Sequence, residues 1–368
     1  MRRERKSTSY GVYYTLYLMN GMELSIVLPC RNERESIASC IREIKKVVLP
    51  IPYEIIVSDS STDGSDTIAK SEGARVIKHD KEGYGFAIRE GVAHANGDII
   101  LFADADNTYP FAAIPSLLGA LENADLVMGN RLNKTITRDA MPFVHRYFGT
   151  PLFNVLLFLF FGITVSDSQS GFRAIRRITF QNLNLNTNGM EFATEMLIKA
   201  KHANLRIREI PISYGIRKGT SKLRRYHDGF AHLKYILLEA PLMWYGIFGT
   251  LFLGIGLFGF LINGGWLLNS ATVKILFPLL GMQILFLGLF AKTYLFIHFH
   301  ESNTFIQKIY THYTLKSALF LSSLLILIPL FLKLLGLSLL PFDSLLVSTI
   351  LGLQVAFNSL MLSTLSIK

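Results

Sequence analysis

Beyond Glu239 the chain runs through four apolar stretches, near Leu242 to Leu268, Ile275 to Phe299, Leu315 to Leu337 and Phe342 to Ser366. Each holds roughly the ~20 residues that a helix needs to cross ~30 Å of hydrocarbon. Backbone polar groups in lipid must be satisfied within such a segment, which leaves helices as the structure these stretches form. Lys274, Lys292, Lys308, Lys333 and Glu301 fall near ends or interruptions, and the fourth stretch, with Asn358 and several Ser, is the most polar. Residues 241–368 are therefore expected to be a transmembrane domain of four helices. An even number of spans puts the N-terminal region and Lys368 on one side. Between Lys201 and Lys234 lie Lys201, Arg206, Arg208, Arg217, Lys218, Lys222, Arg224, Arg225 and Lys234, against Glu209 and Asp228. The positive-inside bias makes that side cytoplasmic.

The net charge of +10 raises the possibility of nucleic acid. Clustering of the cations beside the first span points instead to membrane lipid head groups or phosphate ligands, so no nucleic-acid partner is expected. Cys30 and Cys40 are the only cysteines, which fits a reducing compartment. The start, Met1-Arg2-Arg3-Glu4-Arg5-Lys6 followed by Tyr10 to Met19, has the outline of a signal peptide. Its apolar part is short and Tyr-rich, with no small-residue cleavage site, so residues 1–22 are read as a poorly ordered or interfacial leader.

Residues 23–240 alternate strands with helices. Leu24 to Pro29 reads as a buried strand and Glu33 to Val48 as an amphipathic helix with Ile37, Ile41, Ile44 and Val48 on one face. Tyr53 to Asp59, Ala74 to Ile77, Asp98 to Ala103 and Asp125 to Met128 give four more strands, with Ser60 to Ser65 as a turn and helix cap. The pattern predicts an α/β, mostly parallel doubly wound sheet. Ligands bind such sheets beyond the carboxyl ends of the strands.

The apolar run Ile99 to Ala103 stops at Asp104 and Asp106, spaced i, i+2, and Pro110 prevents regular pairing from continuing. Two such carboxylates at a strand end suit a hard divalent cation, Mg²⁺ or Mn²⁺. Alone, the pair reads rather as a turn in which Asp side chains cap backbone N–H groups. Convergence separates the two readings: Pro29 to Glu33, Asp59 to Asp63 and Gly129-Asn130-Arg131 also follow strands. Gly83-Tyr84-Gly85 opens a helix and could cradle phosphate or merely make a turn. It lacks both the G-x-G-x-x-G fingerprint and the Lys of a G-x-x-x-x-G-K-[ST] loop.

The ordered set Leu28-Pro29-Cys30-Arg31-Asn32-Glu33, Ser58 to Ser65, Asp104-Ala105-Asp106, Gly129-Asn130-Arg131, Ser168-Gln169-Ser170-Gly171-Phe172-Arg173 and Arg217-Lys218-Gly219-Thr220-Ser221-Lys222 resembles glycosyltransferase family 2. The branch it resembles is that of the dolichyl-phosphate mannose synthases and polyprenyl-phosphate glucosyltransferases, over about residues 23 to 235. The resemblance implies a GT-A (nucleotide-diphospho-sugar transferase) fold and a divalent metal. It further implies a UDP- or GDP-linked sugar donor and a polyprenyl or dolichyl phosphate acceptor. It would set Pro29, Arg31 and Glu33 around the nucleoside and Asp59 at the base or ribose. Asp104 would sit near the sugar or nucleotide, Asp106 on the metal, and Arg131 toward phosphate or sugar. Gln169, Ser170 and Gly171 would line the donor or acceptor site, with Arg217, Ser221 and Lys222 on the lipid phosphate or diphosphate. Two residues depart from the family pattern: Thr108 stands where mannose synthases commonly have Gln, and Ser58-Asp59 where they often have paired Asp.

A lipid monophosphate, with a second pKa of about 6, is already ionised at neutral pH. Direct displacement then needs little general-base help and inverts the anomeric centre. Two segments would carry the pocket to the lipid: residues 143–162, too apolar for a water-facing helix, and 226–239. Glu191 and Glu195, four apart on one helix face, could touch sugar or serve structure. His298 to Glu301 is read as the water interface of a span rather than a metal site. A processive polysaccharide synthase is disfavoured, since neither Trp244 nor Trp266 follows an Arg. The reading from another class is a lipid carrier or assembly scaffold with a transferase-like head.

Overall fold

The computed structural model describes residues 23–49, 51–222, 224–261, 270–298, 314–335 and 342–366. Among them the chain forms two compact units, one ending at Ile236 and the other beginning at Leu237. The expected leader, 1–22, and the cluster beyond His298 lie outside the described residues.

The first unit is built on a seven-stranded sheet: β1 (Leu24–Cys30), β2 (Tyr53–Asp59), β3 (Arg75–Lys78), β4 (Ile99–Phe102), β5 (Leu126–Asn130), β6 (Arg173–Arg176) and β7 (Ile207–Pro211), in the order 3-2-1-4-6-5-7. Only β6 runs antiparallel to its neighbours, β4 and β5. Five strands are legible in the sequence, and β6 and β7 are additions to that reading. Both are short and carry Arg or Glu, so neither shows an apolar run.

Helices in this unit are α1 (Ile37–Lys46), α2 (Ser65–Ser71), α3 (Tyr84–Ala93), α4 (Ile114–Ala120), α5 (Thr150–Phe161), α6 (Arg177–Asn182), α7 (Phe192–His202) and most of α8 (Arg225–Glu239), whose last turn passes the boundary at Ile236. They cover both sheet faces. Leu24, Ile26 and Leu28 point to a core shared with Ile37, Ile41 and Ile44 of α1. Val27, one residue out of phase, joins Ile88, Val92, Ile100, Phe102 and Phe192 on the other face, the period-two alternation of a strand buried on both sides. The helix expected from Glu33 begins only at Ile37. Its would-be first turn is committed to the site instead: Ser36 Oγ donates to Ala105 O (2.7 Å), and the Glu33 amide donates to Ser65 Oγ (3.0 Å).

The second unit contains α9 (Pro241–Leu261), α10 (Ala271–His298), α11 (Leu315–Leu334) and α12 (Phe342–Ser366). Within them Pro241–Gly259, Val273–Tyr294, Leu315–Leu334 and Ser344–Thr364 are each long and apolar enough to cross a membrane. Expected span ends at Leu268, Phe299 and Leu337 lie outside the described residues. A Cβ on Gly281 of α10 would fall 2.3 Å from the Leu253 nitrogen of α9; the missing side chain is what lets the two backbones pack this closely.

Candidate active site

The carboxyl ends of β1, β2 and β4 lie along one sheet edge, because the three strands run parallel and in register (Cys30 opposite Asp59, Val27 opposite Phe102). At the β1–β2–β3 end, Asp59 is fully buried. Its Oδ2 accepts from Lys78 Nζ (2.8 Å), and its Oδ1 from Ser61 Oγ (2.6 Å). Arg31, an exposed residue, pairs with Glu82 across the same end, and Pro29 sits in register opposite Ser58. Burial, reinforced by Asp59, keeps the Cys30 thiol protonated; burial raises Cys40 likewise, to about 12. Neither is poised as a nucleophile.

Beyond β4 the chain places two carboxylates, and a basic loop folds back on them. Asp106 is 3% exposed. Its Oδ1 accepts from the backbone N (3.1 Å) and Oγ1 (2.6 Å) of Thr108. Arg217 Nη1 donates to Asp106 Oδ2 (2.8 Å), and its Nη2 donates to Glu33 Oε1. The loop is anchored by its backbone, since Gly215 N donates to Thr108 O (2.9 Å) and Lys218 N to Asp106 O (3.1 Å). Lys222 Nζ donates to Asn32 O (3.1 Å). Glu33, Asp106, Arg217 and Lys222, widely separated in sequence, are thus brought together; Ser221 lies on the exposed part of that loop.

Crowding of negative charge sets the electrostatics. Desolvation raises Glu33 to about 7, against the opposing pull of Arg217 and Lys222, with Asp106 adding to the rise. Asp104 is also held well above the usual carboxylate range, by burial first and then by Asp106, despite Arg131 and Arg217 nearby. A cation could take the place of the proton these carboxyls retain, and oxygen donors on a strand-end loop are of the type that holds a hard divalent ion. Among the described residues no three His, Cys, Asp or Glu side chains gather into a ready-made cage. A site of one or two carboxylates, completed by substrate oxygens and water, is the usual arrangement for Mg²⁺. Thr108 turns its hydroxyl onto Asp106 and so orients that carboxylate.

Arg131 follows β5 and is held differently. Its backbone N and Nε donate to Asp167 Oδ2 (2.9 and 2.8 Å), and its Nη2 to Oδ1 (2.7 Å). The Tyr214 ring lies over its guanidinium, 5.1 Å to the centroid. Although burial opposes the charge, Asp167 raises the Arg131 pKa well above the ordinary value. No motif named above contains Asp167; an acid directly before Ser168-Gln169-Ser170 is the signal the sequence offers.

Gly171 lies beside Asp104. A Cβ there would fall 2.7 Å from the Tyr84 hydroxyl and 3.0 Å from Asp104 Oδ1, so only glycine permits this approach. Ser170 is fully buried, and Gln169, half-buried, donates to Ser168 Oγ (3.2 Å). Gly83 and Gly85 serve packing. Cβ atoms on them would lie 2.3 Å from Asn188 O and 2.4 Å from Thr187 O, and the amides of Gly85 and Phe86 donate to Gly189 O and Asn188 O. These amides of the turn are occupied by the 187–189 loop, which decides against a phosphate cradle. Glu195 accepts from Asn186 N, Thr187 N and Lys199; the structural reading of that carboxylate holds.

Comparison with known proteins adds to this geometry. The family described as "Glycosyl transferase family 2" matches residues 25–183. The chain is 31% identical over 216 residues to the dolichyl-phosphate hexose transferase of Haloferax volcanii, covering 58% of this chain and 92% of that one. It is 30% identical over 257 residues to the dolichol-phosphate mannosyltransferase of Pyrococcus furiosus, covering 67% and 72%. Against the low-salt glycan biosynthesis hexosyltransferase Agl6 of Haloferax volcanii it is 40% identical over 222 residues, 59% of this chain, and spans about half (54%) of that relative's length. With a mostly parallel sheet of order 3-2-1-4-6-5-7, paired aspartates after β4 and these likenesses along its length, the chain belongs to glycosyltransferase family 2 and has the GT-A fold.

Proposed function

We propose that the protein transfers a hexose, glucose or mannose, from a nucleotide-diphospho-sugar to a polyprenyl or dolichyl monophosphate, inverting the anomeric centre, at the cytoplasmic face of a membrane. The observation that carries the reading is the meeting of Asp106, Glu33 and Arg217, with Asp104 and Arg131 beside them, at the end of β4. Such a pocket suits a diphosphate and an anionic acceptor. The names of the Haloferax and Pyrococcus relatives support the acceptor class.

Asp106 would hold Mg²⁺ or Mn²⁺ together with the donor diphosphate, and the ion would supply charge neutralisation for the departing nucleoside diphosphate. Pro29, Arg31 and Asp59 would hold the nucleoside at the β1–β2–β3 end, and Glu33 would face its phosphate side. Arg131, kept charged and fixed by Asp167, would stabilise developing negative charge. Arg217, Ser221, Lys222 and Ser170 would receive the lipid phosphate or the diphosphate, with Arg217 well suited to bidentate contact. The acceptor oxygen attacks the anomeric carbon, the bond to the diphosphate oxygen breaks, and no protein nucleophile takes part. Gln169 would stand at the sugar.

Delivery to a bilayer is supported by apolar side chains left in the open. Phe143, Val144, Tyr147 and Phe148 are exposed around the π-helical turn His145–Gly149. Leu152, Val155, Phe158 and Leu159 of α5 are 52–57% exposed, and Tyr226 (95%) and Phe230 (67%) of α8 are more exposed still. Exposed patches of this kind mark membrane or partner contact. Membranes carrying the protein, incubated with polyprenyl phosphate and labelled UDP-glucose, GDP-mannose or UDP-N-acetylglucosamine, should yield one β-linked lipid product from an α-linked donor. Absence of transfer from all three overturns the reading, and an α-linked product overturns direct displacement.

A further inference from the structure

Helix α5 reads Thr150-Pro151-Leu152-Phe153-Asn154-Val155-Leu156-Leu157-Phe158-Leu159-Phe160-Phe161. After Thr150 it contains one polar side chain, Asn154. Leu152, Val155, Phe158 and Leu159 face outward, while Leu157 is buried in the sheet core, with Phe153 and Phe161 packed against that core. An apolar residue at 154 would serve such a helix at least as well, since Asn ranks low in helix propensity. What Asn154 does instead is grip the chain on both sides of Asp167. Its Nδ2 donates to Ser166 O (2.6 Å), and its Oδ1 accepts from Ser168 N (3.2 Å).

The remaining backbone groups of this segment are accounted for from elsewhere. Glu209 Oε1 accepts from Ser166 N (3.0 Å) and Asp167 N (2.8 Å). Asp167 O accepts from Ser170 N (3.3 Å), and Ser168 O from the buried Arg173 (2.9 Å). Asp167, so fixed, directs both carboxylate oxygens to Arg131. We infer that Asn154 is a positioning residue through which α5, the helix with the exposed apolar face, sets the place of the Arg131 guanidinium by way of Asp167. The inference deepens the transferase reading above and rests on it for the catalytic consequence.

The test uses the full chain in nanodiscs, with Asn154→Leu and Asn154→Ala each compared with wild type for folding by thermal unfolding. Two readouts are taken. Amide hydrogen exchange needs no activity: both variants should speed exchange at Ser168, which loses its acceptor, and also about tenfold at the Arg131 amide, which donates to Asp167 Oδ2. Faster exchange at Ser168 with Arg131 unchanged overturns the tether. The second readout is transfer kinetics, in which the variants should lose about tenfold in kcat while the donor KM stays within about twofold. Unchanged kcat in folded variants overturns the positioning role. Should wild type transfer no sugar, the functional reading fails while the exchange comparison still decides the tether.

Discussion

Arg131 commits its guanidinium to one fully buried carboxylate, whereas Arg217 divides its own between Glu33 and Asp106 on a loop whose side chain remains 26% exposed. The first arrangement is closed: Asp167 carries no exposed surface and is tied down by backbone contacts. The second is open: the Arg217 side chain keeps its surface exposure, and Glu33 also feels the charge of Lys222. A fixed cation suits charge that always develops in the same place. A cation that can leave suits the proposed site, where a metal ion and two phosphorylated ligands would arrive and depart.

The largest effect should come from the closed side. Asp167→Asn leaves Arg131 buried without its counter-charge, which typically costs about 3–5 kcal/mol, and thermal unfolding should show it. A small shift in Tm would mean that the pair is less closed than its geometry implies. Next, Asp106→Asn should lower transfer on the order of 10³-fold, the range for losing a strong electrostatic contribution, with little change in stability. Retained activity would sink the metal assignment. Arg217→Gln is expected to separate binding from turnover: Mn²⁺ alone, followed by electron paramagnetic resonance, should bind about tenfold tighter, equivalent to about 1.4 kcal/mol, because its competitor for Asp106 Oδ2 is gone. Transfer should fall in the same variant. Equal Mn²⁺ affinity in both proteins would show that Arg217 is no competitor.

The smallest effect concerns pH. Glu33, raised to about 7 from an ordinary value of 4.5, is largely neutral below pH 7 and ionised above it. Affinity of the pocket for Mn²⁺ should therefore rise about threefold from pH 6 to pH 8, since cation binding gains as nearby carboxylates lose protons. Glu33→Gln should reduce that rise, leaving the part carried by Asp104, which is raised in the same way. A slope of opposite sign in wild type would contradict the assignment.

Much of this was legible before any coordinates. Strands β1, β2 and β4 have apolar centres, Ile26 to Leu28, Ile55 to Val57 and Ile99 to Phe102, and the polar residues that follow them mark the pocket edge. Asp104, Asp106, Arg131 and Arg217 stand out as charges in short motifs. What the sequence conceals is pairing: Arg217 meets residues far upstream through a loop with no regular structure, and nothing in its neighbourhood names Asp106 as its partner. Strand β6 is hidden because Arg173 and Arg176 bound a two-residue apolar centre, and Arg173 is buried through hydrogen bonds to carbonyls of Ser168, Ser170 and Ala193. Asn154 looks like an imperfection in an apolar helix until its two backbone partners are seen. Gly83 and Gly85 mislead in the other direction, since a loop packed against them looks the same in sequence as a phosphate site.

The reversed strand also bears on how the chain folds. Strand β6 fills the gap between β4 and β5, so the sheet stays split until the whole stretch from Arg131 to Phe172, α5 included, has been made and turned back. Pairings at such sequence separation form late and leave strand edges open meanwhile. During synthesis the apolar α5 emerges before its sheet is closed. A nascent chain halted before Arg173 should then be protease-sensitive and aggregation-prone, whereas one extended past Pro211 has every strand of its sheet.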